Sequence, residues 1–399
     1  MSELLRKSDV KRITGLELNA LQFAGVLDRG VFDGSHITSS GTPIYDIDGE
    51  LLFYRVPVRR GQKASALADV AANSVFGAPL LAVQHGLEWE EQQIKMSAEA
   101  AARKIRSNID FDKMEFVAYS YPKMAIRFSK GNNEILMLEL FSWTQVPSER
   151  DVAPGPQEYG FSRWSLVRET PEEKKQKNIT NYRKRVSQWD ELFPPLPPKL
   201  RKESFKPEYI KYAEFERQLK AIPTVPRIET RDLYYSLDDN DHHPCYELRG
   251  QQTGVWCVAA SVQMLLDFYR YDYEQTRVAQ ALNLGTLTNP NSLPYANDGD
   301  VVTVIESMTG NALNATMNTN PSWTEFRGEI RANHPLISFI PGHSRTVAGY
   351  TRTSLFEWYV FRGLLVYDPW PPNAGVITRW ENFDTQTYRR TFTAAVTMV

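Results

Sequence analysis

The sequence predicts an α+β protein in two parts: a C-terminal half in which a helix bearing a reactive thiol packs on an antiparallel sheet, and a separate N-terminal α+β domain. Three observations predict it. After Cys257, the apolar residues Val258, Val262, Leu265, Leu266 and Tyr269 recur at helical spacing. Further on, the runs Leu336–Ile340 and Leu364–Tyr367 are short, β-rich and bounded by Pro-Gly and Asp-Pro turns. Between the halves lies a stretch broken by Pro147, Pro154, Pro156, Pro194, Pro195, Pro197, Pro198 and Pro207. These features divide the chain into an N-terminal domain over 1–145, a proline- and charge-rich linker with one helix over 146–225, and a second domain over 226–399.

In chain order, Ile44 to Val58 reads as a hairpin around Asp48-Gly49. A helix over Ala64 to Phe76, a strand over Pro79 to Gln84 and a polar helix over Trp89 to Arg106 follow. A second hairpin runs from Glu115 to Phe128 and from Glu134 to Phe141, and Glu172 to Phe193 forms the charged linker helix. In the second half, Asp300 is expected to cap a helix starting at Val301, and Ser322-Trp323-Thr324-Glu325 is a capping box. His343 heads the second strand of a hairpin over Pro335 to Tyr350, and Asp368 closes the strand after it.

The chemistry concentrates at Gln251 to Gln263. A thiol at a helix start meets free backbone N–H groups and the positive end of the helix dipole, which favour the thiolate. The Gln251 side-chain amide and the Cys257 N–H are placed to hold a developing oxyanion. His343 supplies a base, and Asp368 accepts from the imidazole's other N–H and fixes its tautomer. Each residue also has a plainer reading: a buried cysteine, a structural strand histidine, an aspartate opening a turn.

Taken together, Gln251 to Phe268, His343 to Tyr350 and Val366-Tyr367-Asp368-Pro369-Trp370 resemble the papain-like cysteine peptidases, and more narrowly the C39-like and AvrRpt2-like bacterial families, over roughly residues 240–399. The resemblance implies that Cys257 is the nucleophile, His343 the general base and acid, Asp368 the orienting residue and Gln251 the oxyanion-hole donor. It also implies peptide or related amide hydrolysis through an acyl-enzyme, with no cofactor and no metal. Val258 stands where those families carry Gly or Trp, and Thr351 to Gly363 lengthens the path between the His and Asp strands. The same four residues also serve an acyltransferase of transglutaminase-like or amide-forming type, and a third reading is a binding module on a protease scaffold.

His242, His243 and Cys245 crowd three metal-binding side chains into four residues but lack a second pair. The acidic loop Asn297-Asp298-Gly299-Asp300 lacks the later glutamate of a calcium loop. Lys199, Arg201, Lys202 and Lys206 form a basic stretch suited either to solvation or to processing. With 46 basic and 48 acidic residues, nothing draws the chain to nucleic acid or an anionic membrane surface. The start, Met1 to Asp9, has no apolar core of a signal peptide, and no membrane-spanning run follows. Two cysteines fit a reducing, cytoplasmic setting. The expected partner is a peptide or protein substrate, with intramolecular inhibition by the N-terminal domain as a further expectation.

Overall fold

The computed structural model describes residues 4–27, 32, 34–37, 39–61, 63–85, 89–147, 158–160, 163–195, 210–222, 225–233 and 246–397. His242, His243, Cys245 and the basic cluster at Lys199 to Lys206 lie outside them.

The N-terminal region begins with helix α1 (Val10–Phe23) and strands β1 (His36–Ile37), β2 (Thr42–Asp46), β3 (Leu51–Arg60), β4 (Lys63–Ala71) and β5 (Leu80–His85). Helix α2 (Glu91–Ile105) and strands β6 (Lys113–Ser120), β7 (Lys123–Lys130) and β8 (Asn133–Glu139) complete it. The connecting stretch holds β9 (Glu158–Tyr159), α3 (Leu166–Glu169), α4 (Glu172–Leu192), α5 (Tyr212–Lys220) and β10 (Arg227–Asp232). Then come α6 (Cys257–Phe268), α7 (Gln275–Ala281), β11 (Gly285–Thr286), β12 (Asn289–Pro290), β13 (Leu293–Pro294), α8 (Asp300–Met308), β14 (Leu313–Asn318) and α9 (Trp323–Arg331). The chain ends in β15 (Leu336–Ile340), β16 (His343–Phe356), β17 (Tyr359–Asp368), β18 (Val376–Asn382) and β19 (Arg390–Val396).

The fold is α+β, and one sheet runs through both halves in the order β14-β19-β15-β16-β17-β18-β5-β4-β3-β2-β6-β7-β8. The junction is the antiparallel pairing of β18 with β5, Trp380 opposite Val83 and Glu381 opposite Ala82. The N-terminal α+β region therefore shares hydrogen-bonded strands with the second half. Its buried cluster also crosses the seam: Val10, Leu16, Val56 and Leu80 pack in the same core as Tyr359, Tyr367 and Trp380.

Three local expectations are corrected. Lys63–Ala71 is a strand paired along its length with β3, whereas the helix was expected over Ala64 to Phe76. Alanine-rich segments favour helix in isolation, but here Ala66, Ala68 and Val70 on one face and Leu67 and Ala71 on the other all enter cores. The expected single arm Glu115 to Phe128 is two strands, β6 and β7, which turn back at Tyr121-Pro122. Asp300 is the first residue of α8, whose N-cap is Gly299, and it accepts a side-chain hydrogen bond from Asn297. The capping box at Ser322 and Glu325 is present as read.

Among the described residues, no helix is long and apolar enough to cross a membrane, and no cluster of three metal-ligating side chains occurs.

Candidate active site

Helix α6 opens at Cys257, with Trp256 as its N-cap, and runs buried from Cys257 to Leu266. It is apolar nearly all round rather than along one stripe, because sheet strands β15 and β16 and helices α7 and α8 enclose it. Even Gln263 is buried, its amide spent on Tyr273 O and on Gln275. The thiol thus sits at the mouth of a helix that cannot shift without disturbing the core.

His343 begins β16 directly after the Pro341-Gly342 turn, where Gly342 takes φ +67°. Register pairs it with Ile340 of β15. Its Nε2 lies 2.6 Å from Asp368 Oδ1 at the end of β17, with both side chains buried. A carboxylate only accepts, so Nε2 carries the proton and Nδ1 of the neutral ring is left as an acceptor. Among the described residues Nδ1 has no hydrogen-bond partner. Asp368 Oδ1 also accepts from the Trp370 N–H at 2.9 Å, which fixes the carboxylate in turn.

The backbone N–H of Ser344, next after the histidine, and that of Val258 both bias Cys257 toward thiolate. Lys123 does so through its charge. Burial nevertheless wins. Cys257 is 1% exposed, and its pKa is pushed up from 9.0 to about 11. This corrects the sequence-based expectation that the helix start would lower it: a few N–H dipoles do not replace the water lost around sulfur. Burial likewise lowers the His343 pKa, outweighing Asp368.

Gln251 lies 1% exposed in the loop before α6. Its backbone is tied to the segment between β17 and β18, Gln251 N–H donating to Pro369 O at 2.9 Å and Asn373 N–H to Gln251 O at 2.8 Å. Its side-chain Nε2 donates to Thr253 O at 2.7 Å, while Oε1 has no partner. The neighbouring Gln252 has its N–H held by Gln275 Oε1.

Sequence reading missed the contribution of the N-terminal region. Lys123 of β7, fully buried, donates from Nζ to Gly342 O at 2.9 Å and to Gly160 O. Ser120 Oγ donates to Pro341 O at 2.9 Å. Glu139 gathers the Tyr119 hydroxyl at 2.5 Å and the Trp370 indole N–H at 2.6 Å, tying β6 and β8 to the residue that holds Asp368. Burial raises the Glu139 pKa and lowers that of Lys123. No sequence signal announces the contacts to Pro341, Gly342 and Trp370, since those partners lie more than 200 residues apart.

A helix-start thiol touched by the Ser344 N–H, and a His343–Asp368 pair on neighbouring antiparallel strands, lie in one α+β region. Residues 241–396 carry a Peptidase_C39-like domain: they match the family described as "Peptidase_C39 like family". Among solved structures, the chain is similar to a double glycine motif protease from an AMS/PCAT transporter in complex with the leader peptide. That likeness has 14% identity, covers 38% of this chain and 94% of that one, and has a TM-score of 0.25. It is also similar to UfSP from C. elegans, at 11% identity over 44% of this chain and 38% of that one, TM-score 0.25. Comparison with curated proteins found no match.

Proposed function

We propose that the chain is a cysteine peptidase in which Cys257 attacks a peptide carbonyl, His343 takes and returns the proton, Asp368 holds the ring, and Gln251 with the Cys257 N–H binds the oxyanion. The observation that carries this reading is the buried imidazole with Nε2 on Asp368 and Nδ1 unpartnered, next in the chain to Ser344, whose N–H acts on the helix-start thiol. In the attack, the thiol proton passes to Nδ1 as sulfur bonds to carbon. The imidazolium then protonates the leaving amine as the C–N bond breaks, and water releases the acyl group. Gln251 requires one rotation: its amide must leave Thr253 O to reach the oxyanion. We assign the chemistry to 226–399 and a restraining role to 1–145, whose Lys123 and Ser120 grip the turn before His343.

The test is hydrolysis of a peptide mixture by the whole chain, read by mass spectrometry, beside His343→Ala and Asp368→Ala. Loss of about 10²-fold or more in each variant is expected; equal activity in His343→Ala refutes the assignment. Adding an amine nucleophile separates hydrolysis from acyl transfer by product mass.

A further inference from the structure

Among the described residues, the buried core around α6 is built from residues 256 to 394 with one exception, Tyr159, which comes from the connecting stretch and is 0% exposed. Its ring packs on Tyr295 and Phe339, with centroids 4.5 and 4.2 Å away, and its hydroxyl donates to Asp298 Oδ1 at 2.9 Å. Glu158 and Tyr159 lie as an antiparallel strand against Pro294 and Leu293. The next residue, Gly160, gives its N–H to Gly342 O at 3.2 Å, one residue before the histidine. On the opposite side, a Cβ at Gly160 would stand 3.0 Å from Val255 Cγ1, two residues before the cysteine, and 3.2 Å from Ser292 Cβ. Lys123 Nζ then pins Gly160 O and Gly342 O together.

Extended backbone paired to a short strand, with one side chain in a pocket, is how a cleft holds a peptide. We infer that Glu158-Tyr159-Gly160 fills the substrate groove of its own chain, and that the groove selects extended peptides carrying Tyr followed by Gly. The pocket of Tyr295, Phe339 and Asp298 receives the phenol, whose hydroxyl needs the Asp298 acceptor once buried. The gap between Gly342 and Val255 admits glycine because any side chain meets Val255 and Ser292. This inference rests on the peptidase reading for the position of the scissile bond, and it explains why Cys257 and His343 are both closed to solvent.

The test uses the whole chain with Cys245→Ser, so that Cys257 is the sole thiol, and measures its alkylation by iodoacetamide through intact mass. Tyr159→Ala is expected to label roughly tenfold faster or more, as the emptied groove opens. Added N-acetyl-Glu-Tyr-Gly amide should slow that labelling, and the Glu-Ala-Gly analogue should not. Gly160→Val leaves the phenol pocket intact and expels the backbone by its clash with Val255, so it decides the matter if Tyr159→Ala fails to fold. Unchanged labelling in a folded variant, or equal protection by both peptides, overturns the inference. A variant that labels fast and is protected by the tyrosyl peptide, yet hydrolyses nothing, supports groove occupancy while refuting the peptidase reading.

Discussion

Titrating the alkylation of Cys257 with pH tests whether burial or the helix start governs the sulfur. The thiol is 1% exposed and its pKa is raised from 9.0 to about 11. Two pH units are worth about 2.7 kcal/mol and leave roughly a hundredfold less thiolate at neutral pH than an ordinary cysteine has. In the Cys245→Ser chain, the rate of reaction with iodoacetamide should therefore climb about tenfold per pH unit through neutrality and well past 9. The midpoint, not the absolute rate, is the readout, because occlusion slows labelling at every pH. The same linkage acts on the fold: a folded pKa raised above its unfolded value stabilises below about 9 and loses that contribution as pH rises to about 11. Near-UV circular dichroism recorded in parallel marks where the packing opens. A rate already at its plateau below about pH 7 would refute the reasoning, since it would mean that a thiolate–imidazolium pair survives burial.

Two further outcomes follow from buried charges. Arg345 and Glu381 form a bidentate pair across β16 and β18, 1% and 3% exposed, with Nη2 to Oε1 at 2.6 Å. Arg345→Met should cost about 3–5 kcal/mol by stranding the carboxylate, with Arg345→Met/Glu381→Leu recovering most of it in denaturant unfolding; a loss below about 1 kcal/mol would count against it. Asp46, whose carboxylate accepts from the Ser165 hydroxyl and the Val167 N–H, has its pKa pushed up from 3.8 to about 6 by burial. Its folded pKa is the higher one, so its contribution favours folding below about 4 and is lost as pH rises through about 6. Thermal midpoints at about pH 5 and pH 7 should differ more in the natural chain than in Asp46→Asn, and identical differences would exclude the effect.

Local pattern carried far in this chain. Strict helical spacing after Cys257, the Pro-Gly turn before His343 and the Asp-Pro stop after Tyr367 are short-range signals, and α6, β15, β16 and β17 lie where those signals put them. The capping box at Ser322 and the Asp48-Gly49 hairpin are equally local, satisfied by atoms three or four residues apart. Lys63–Ala71 misled because alanine has no side chain to declare a face, and only the neighbouring strand decides whether it pairs.

Residue types, their order along the chain and the backbone class around each came from the sequence alone, because periodicity and turn chemistry act within a few residues. Tertiary structure decided the rest. It joined β18 to β5, set Lys123 against the carbonyl before His343, seated Tyr159 beneath the protease core and removed the water that would have ionised Cys257. Those features depend on groups brought together across as many as 300 residues, and on how much solvent the assembled chain leaves around them, which no local pattern encodes.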